Sequence, residues 1–447
     1  MAVPIARTGS AMWPYLPDLL ATPVPRYTSY PTAVEFRPLP WARYEQALEA
    51  AQGDVSLYVH IPFCEQICFY CACNTGKAGK RQRLESYLDA LNDEIECVSA
   101  LLPGDATVRR VAFGGGSPNA LEPEQFLRLV DRLVSSFPID SPVYSVELDP
   151  RTFTSEWAEA IGSAGIERAS LGVQTFAPRC QAAIGRVQSA ALIGGAVDLL
   201  RRHGVISLNF DLMYGLPGQS QDDLRDTLAT SVALGPDRIA LFGYAHVPHL
   251  VPRQRMIDAS ALAGQEERFG MAWLGHEMLT GQGYDPIGFD HFAKSGDPLA
   301  LARAEGKLRR NFQGFTDDPS GIVIGLGSSA VSSFPGLLAQ NEKNSGRYRM
   351  LVGQGRPATA TGVVRSADDR LRGGMIEDLL CRGATDIGPI SDVVPIEALA
   401  PFLDRGLVAL DDSLLTITPD GMPYARTVCA LLDGHRPQSA RRFSSAV

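Results

Sequence analysis

The stretch SLYVHIPFCEQICFYCAC, residues 56–73, joins two signals that rarely meet. Its first eight residues, SLYVHIPF, are β-branched and aromatic, as in a strand. Its last ten hold Cys64, Cys68, Cys71 and Cys73, half of the eight cysteines in the chain. The spacing C-x3-C-x2-C therefore sets three thiols on a loop directly after a strand. The remaining cysteines, Cys97, Cys180, Cys381 and Cys429, stand alone and read as core residues.

Working outward, strands are expected at 108–114, 143–149, 168–176, 207–215 and 238–246. Amphipathic helices are expected between them at 84–102, 123–137 and 189–204. Alternation of this kind implies right-handed βαβ crossovers and a parallel sheet. The expected fold is α/β: a partial parallel β/α barrel of about six units, where a complete barrel has eight. An N-terminal arm, residues 1–54, carries PRYTSYPTAVEF. Residues 55–360 form the barrel and its extension, and 361–447 a small, mainly helical, winged-helix-like C-terminal domain with a hairpin in GLVALDDSLLTITPDG (406–421). In such sheets chemistry gathers at the carboxyl ends of the strands. The cysteine loop sits there.

Composition narrows the function. A formal charge of −9 over 447 residues argues against a chain built to coat nucleic acid. The first twenty residues carry one Arg and are broken by Pro4, Pro14 and Pro17, unlike a signal peptide, so the chain is expected in the cytoplasm. The uncharged stretch 320–340 is too rich in Gly and Ser, and too interrupted by Pro335, to insert in a membrane. In a reducing compartment clustered thiols read as metal ligands or catalytic groups rather than disulfides. Three sulfurs suit three irons of a [4Fe–4S] cube, leaving the fourth iron open. Two alternatives stay beside this one: a zinc site completed by Cys73, although no second ligand pair exists elsewhere, and an electron-transfer cluster with Cys73 as fourth ligand.

VHIPFCEQICFYC resembles the cluster loop of radical S-adenosylmethionine (SAM) enzymes. With its fourth cysteine, it is similar to the oxygen-independent coproporphyrinogen III oxidase family. The resemblance runs from about residue 25 to the C-terminus through RYTSYPTA, FGGGSP, VELDPR, GVQTF, NFDLMYGLPGQ, GYAHVP, QRMI, GFDHFA and RRNFQGFT. It implies a radical SAM barrel whose cluster is held by Cys64, Cys68 and Cys71, with SAM chelated to the open iron and cleaved to methionine and a 5′-deoxyadenosyl radical. It also implies two SAM molecules. Gly115, Gly116 and Ser117 correspond to the methionine contact; Glu147, Gln174 and Asp211 to the ribose and neighbouring groups; Arg186 to the SAM carboxylate. Tyr58 and Ala245 match residues around the cluster and adenine, Gln313 and Val331 residues around the second SAM, and Tyr58, His60 and Cys73 lie near the cluster with catalytic roles. Read without the family, the polar residues among these are strand-end caps or solvated side chains, and Ala245 and Val331 core.

The implied reaction takes a β-hydrogen from the propionate on ring A and then ring B of coproporphyrinogen III, followed by loss of CO2 and one electron to leave a vinyl. An electron donor and an acceptor are implied but not legible, and the enzyme is expected as a monomer. Four propionates call for local cations, and Arg26, Arg253, Arg255, Arg309 and Arg310 flank the matching motifs. Tyr27 and Tyr30 are expected to order the arm across the barrel mouth. Departures from the family pattern lie mainly in LRGGMIEDLLCRG (371–383) and CALLDGH (429–435), and Ser117 stands where threonine is common. Another radical SAM tetrapyrrole enzyme and a non-enzymatic heme chaperone are the competing readings; Cys73 and RYTSYPTA weigh against both.

Overall fold

A computed structural model describes residues 12–79, 81–391 and 396–436. The first eleven residues of the expected arm and the last eleven of the C-terminal domain lie outside these. Six parallel strands form the centre: β1 (Gly53–Ile61), β2 (Ala106–Gly115), β3 (Ile139–Leu148), β4 (Arg168–Gln174), β5 (Ser207–Tyr214) and β6 (Arg238–Gly243). Helices α1 (Arg81–Leu101), α2 (Pro123–Ser136), α3 (Ser155–Ser163), α4 (Ala190–Arg202), α5 (Gln221–Leu234) and α6 (Gln265–Gly281) follow them in turn. The expected six-unit partial barrel is what the chain forms. Among the described residues no helix is long and apolar enough to cross a membrane.

The sheet extends beyond both edges of this centre. Strands β7 (Tyr284–Ile287) and β8 (His291–Lys294) add antiparallel beside β6. On the other side β9 (Val323–Leu326) pairs parallel with β1, and β10 (Val331–Phe334), β11 (Leu337–Asn341) and β12 (Thr359–Val364) continue antiparallel. Three of these strands come from the uncharged stretch 320–340. Its glycines and serines hide the strand pattern but suit tight turns: Gly327 has φ +97°, a region open to glycine at little steric cost.

Strand periodicity decides what faces the barrel interior. In β1, Val55, Leu57, Val59 and Ile61 belong to the core shared with the helices, so Tyr58 and His60 point inward. The same alternation turns Val146 and Leu148 out and Glu147 in, and Phe210 and Leu212 out and Asp211 in. Burying each aliphatic side chain contributes about 1.5–3 kcal/mol, so slipping a strand by one residue would be prohibitive.

A second core joins the arm to the C-terminal helices α7 (Ala367–Arg382) and α8 (Ala425–Leu432), through Trp13, Tyr27, Ile376 and Val428 among others. Tyr27 donates to Asp433 at 3.0 Å, and Tyr30 accepts from the Gly434 amide at 2.9 Å. The arm is thereby tied to the far end of the chain. Strands Val408–Asp411 and Leu414–Ile417 form the hairpin expected in 406–421.

Candidate active site

The cysteine loop leaves β1 at its carboxyl end and is closed at its base. Phe63–Cys64 pairs with Gly76–Lys77, and the Ala78 amide reaches the Cys64 carbonyl at 2.9 Å. Its middle is pinned by Phe69 N–H to the Ile184 carbonyl (2.9 Å) and by Gln254, which donates to the carbonyls of Tyr70 (2.9 Å) and Ala245 (3.0 Å). Gln254, within the QRMI motif, thus links the loop to the end of β6. All four loop cysteines are free thiols. The Cys73 amide points at the Cys71 sulfur (3.4 Å), and the hydrogen bond between the two thiols, with Arg253 and Arg186 nearby, holds Cys71 down to about 6 against its burial. Burial pushes Cys64 up to about 12.

Two features fit this loop to a cluster and SAM. Three thiols rise from one loop at the strand edge. Beside the loop runs a side-chain-free strip at the end of β2. A Cβ at Gly114 would lie 2.7 Å from a Glu147 oxygen, one at Gly115 2.6 Å from the His60 ring, and one at Gly116 2.4 Å from the Phe63 carbonyl. Glycine at these positions lets Glu147, His60 and the Phe63 backbone pack directly against the strand end, and the Gly115 and Gly116 amides bond Glu147 and the Ile61 carbonyl.

Glu147 donates no bond but accepts one from the Gly115 amide at 3.2 Å. Inside the barrel, desolvation first and Asp211 next raise its carboxyl to about 7, the Gly115 amide offsetting part of this. Asp211 accepts from Ser170 (3.0 Å) and Asn209 (2.9 Å), and burial raises it despite them. Gln174 follows a bulge and sits at φ +66°, an uncommon conformation for a residue other than glycine.

Tyr58 and His60 meet: Tyr58 Oη lies 3.2 Å from His60 Nδ1, while His60 Nε2 is 3.3 Å from Ser329 Oγ and 3.5 Å from the Asn74 carbonyl. Burial lowers His60 to about 4, so the ring is neutral at neutral pH. Ser117 is buried; its hydroxyl donates to Asn119 and accepts from the Asp149 amide at 3.1 Å, locking the turn.

The arginine that the resemblance matches to the SAM carboxylate has other company. Arg186 donates to the Gly172 carbonyl (3.0 and 2.7 Å), to Asp149 (3.1 and 3.3 Å) and to Cys68 Sγ (3.4 Å). Arg151 grips the other side of Asp149 and also reaches Cys68 Sγ at 3.4 Å. Asp149, Arg151, Ser329 and Gln254 are therefore parts of the site that reading single residues missed. ELDPR and QRMI stood in the sequence as matching motifs, but only Glu147 and Arg255 within them received a role.

Gln313 and Val331 are not side by side. Gln313 is exposed on the turn between Arg309–Asn311 and Gly314–Thr316, while Val331 lines a cavity with Phe312 and Tyr27. Phe312 meets Tyr58 edge to face at 4.9 Å, connecting this cavity to the site. Ala245 lies at a different cavity, beyond the end of β6.

Residues 58–230 match the radical SAM superfamily. An oxygen-independent coproporphyrinogen III oxidase of Bradyrhizobium diazoefficiens is 39% identical over 95% of this chain and 97% of its own. That of Paracoccus denitrificans is 41% identical over 95% and 96%. The chain belongs to the oxygen-independent coproporphyrinogen III oxidase family. As a member of that family it is a radical SAM oxidoreductase that uses a [4Fe–4S] cluster and SAM. The solved structure of the Escherichia coli coproporphyrinogen III oxidase superposes with a TM-score of 0.87 at 34% identity, covering 95% of this chain and all of that one. The likeness therefore spans arm, barrel and C-terminal region together.

Proposed function

We propose that this family member converts coproporphyrinogen III to protoporphyrinogen IX without oxygen, in porphyrin and heme synthesis, by turning two propionates into vinyls. The observation that carries the reading is the three-thiol loop beside the glycine strip, in a chain that matches named relatives along nearly its whole length. When bound, the cluster and SAM supply a 5′-deoxyadenosyl radical able to take a β-hydrogen from a propionate.

The chain's own residues then have these tasks. Cys64, Cys68 and Cys71 hold the cluster, and Gly115, Gly116 and Ser117 offer backbone to the methionine end. Glu147, Gln174 and Asp211 orient the ribose side. Arg186 meets the SAM carboxylate while sharing its charge with Asp149. Tyr58 and neutral His60, with Cys73 at the loop's outer end, line the approach of the reacting arm. Gln313 and Val331 border a second SAM. The arm, tied down through Tyr27 and Tyr30, keeps water from the radical. Arm (1–54), barrel with extension (55–360) and C-terminal domain (361–447) act in one cytoplasmic monomer, with an electron donor and an acceptor but no nucleic-acid or membrane partner.

Anaerobic reconstitution with iron and sulfide counting, then incubation with SAM, dithionite and coproporphyrinogen III under mass spectrometry, tests this. Two successive losses of CO2 plus two hydrogens are expected. Stoichiometric heme binding with no decarboxylation would sink the reading in favour of a carrier.

A further inference from the structure

The motif ELDPR closes β3, and its last two charged residues, Asp149 and Arg151, fold back on each other. Asp149 caps the short turn Pro150–Thr152, its side chain accepting the Arg151 amide at 3.0 Å, and Pro150 at the start of the turn fixes the backbone. The turn brings the Arg151 side chain over its own cap. Arg151 Nε lies 3.0 and 3.1 Å from the two Asp149 oxygens, and Nη2 lies 2.6 Å from one of them. Asp149 is held in turn: its amide donates to Ser117 Oγ (3.1 Å) and Asn119 Oδ1 (3.0 Å), and its carbonyl accepts from Asn119 at 2.9 Å.

From this anchor Arg151 reaches the cysteine loop. Its Nη1 donates to Gln66 Oε1 at 3.1 Å, and its Nη2 approaches the Gln66 carbonyl and the Cys68 sulfur, each at 3.4 Å. All three guanidinium nitrogens are thereby engaged inside the protein, so Arg151 is placed to hold its neighbours rather than to receive a ligand. Arg186 meets the same carboxylate and reaches the same sulfur, also at 3.4 Å. The side chains of Arg151, Asp149 and Arg186 are only 5%, 8% and 7% exposed, so water screens these contacts little. Donor type separates the thiols: Cys71 accepts from the neutral amide of Cys73, whereas Cys68 accepts from two guanidiniums, and a charged donor makes a bond roughly twice as strong. The Cys68 sulfur, a free thiol here, stands in for an iron-bound thiolate. Reduction adds negative charge to a cluster and its sulfurs, so a donor aimed at one of them favours the reduced form and raises the potential.

We propose that Arg151 is a positioning residue for the cluster: held on Asp149, it fixes the Gln66–Cys68 limb of the loop and donates to the Cys68 sulfur, which makes the cluster easier to reduce. The inference rests on the assignment of Cys68 as a cluster ligand made above. In the couple concerned an external donor, dithionite in the experiment, gives one electron to the cluster, and no bond or proton is exchanged.

The test uses the full-length, anaerobically reconstituted enzyme without SAM. Its cluster potential is read from a dithionite titration followed by absorbance and electron paramagnetic resonance, and iron loss to a chelator is timed in parallel. Arg151→Met should shift the reduction equilibrium against the reduced form by about tenfold, a fall of about 59 mV for one electron, and should release iron faster. Arg151→Lys, which keeps the cation without the planar fork, should lie between Met and wild type in both readouts. Gln66→Ala removes the tether but neither donor to the sulfur, so it should release iron faster at the wild-type potential. A wild-type potential in Arg151→Met, or in Arg151→Lys where the Met variant does not hold iron, overturns the inference. So does a fall in Gln66→Ala equal to that in Arg151→Met, which would trace the shift to a loosened loop. A Cys68→Ala variant that reconstitutes with wild-type iron and spectrum refutes the ligand assignment and this inference with it. Iron loss in Cys68→Ala beside a wild-type potential in the Arg151 variants overturns this inference alone.

Discussion

The two ends of the barrel treat buried arginine in opposite ways. At the amino-terminal end, Arg110 and Arg168 both reach Asp317, with four hydrogen bonds of 2.7 to 3.2 Å, and Asp318 adds a further contact to Arg110 at 3.5 Å. Every charge there meets its opposite within the protein. At the carboxyl end, Arg151 and Arg186 enclose the single carboxylate of Asp149 and both also reach the sulfur of Cys68 in the cluster loop. Charge balanced internally is scaffold. Two cations on one carboxylate leave positive charge facing the thiols of the cluster loop.

The contrast breaks most visibly at the closed end. Asp317→Asn leaves two inward-facing guanidiniums without their shared partner, and loss of one member of a buried ion cluster costs about 3–5 kcal/mol. Urea denaturation should report it. Burial works against the Asp317 carboxylate, but bonds from Arg168 and Arg110 hold it well below the usual range. Because its folded value is the lower one, its stabilisation is complete above the ordinary carboxylate range and disappears on acidification below it. The variant should lack that acid-side loss. A variant as stable as wild type would show that the closed end does not depend on this cluster.

Much of the barrel was legible in the sequence because its signals are local. Six apolar runs, the helices between them and the thiol spacing each lie within a few residues, and period-two alternation fixes which side chains face inward. The continuation of the sheet through 323–341 was hidden, since GIVIGLGSSAVSSFPGLLAQ takes its strand character from pairing with β1 and its own neighbours. The role of Asp149 and the neighbours of Arg26 were hidden for a different reason. Arg26 and Arg426 lie at opposite ends of the chain yet line one cavity, which exists only after folding.

A second buried carboxylate sharpens the rule by having no cation at all. Glu94 accepts from the Gly327 amide (2.6 Å), Asn341 (2.6 Å) and Tyr348 (2.7 Å), all neutral donors, and burial raises it to about 7 in spite of them. Its sign is opposite to that of Asp317. The folded state binds the proton more tightly, so stability should be greatest below pH about 4.5 and decline as pH rises toward about 7, by roughly 3 kcal/mol at most. Glu94→Gln should flatten that decline in urea melts at the two pH values. A wild-type slope that survives the substitution would assign it to another group.

The smallest expected effect separates two arginines that the sequence alone could not tell apart. Arg253 and Arg255 are two residues apart in one motif, yet Arg253 clasps Thr75 on the cluster loop while Arg255 is exposed. If internal contacts mark scaffold, Arg253→Met should loosen the loop by about 1.5–3 kcal/mol and speed iron loss to a chelator, with little change in affinity for coproporphyrin III. Arg255→Met should change neither. A drop in porphyrin affinity without faster iron loss in Arg253→Met would move that arginine from the loop's support to the substrate's, and the line between balanced and excess charge would have to be redrawn around it.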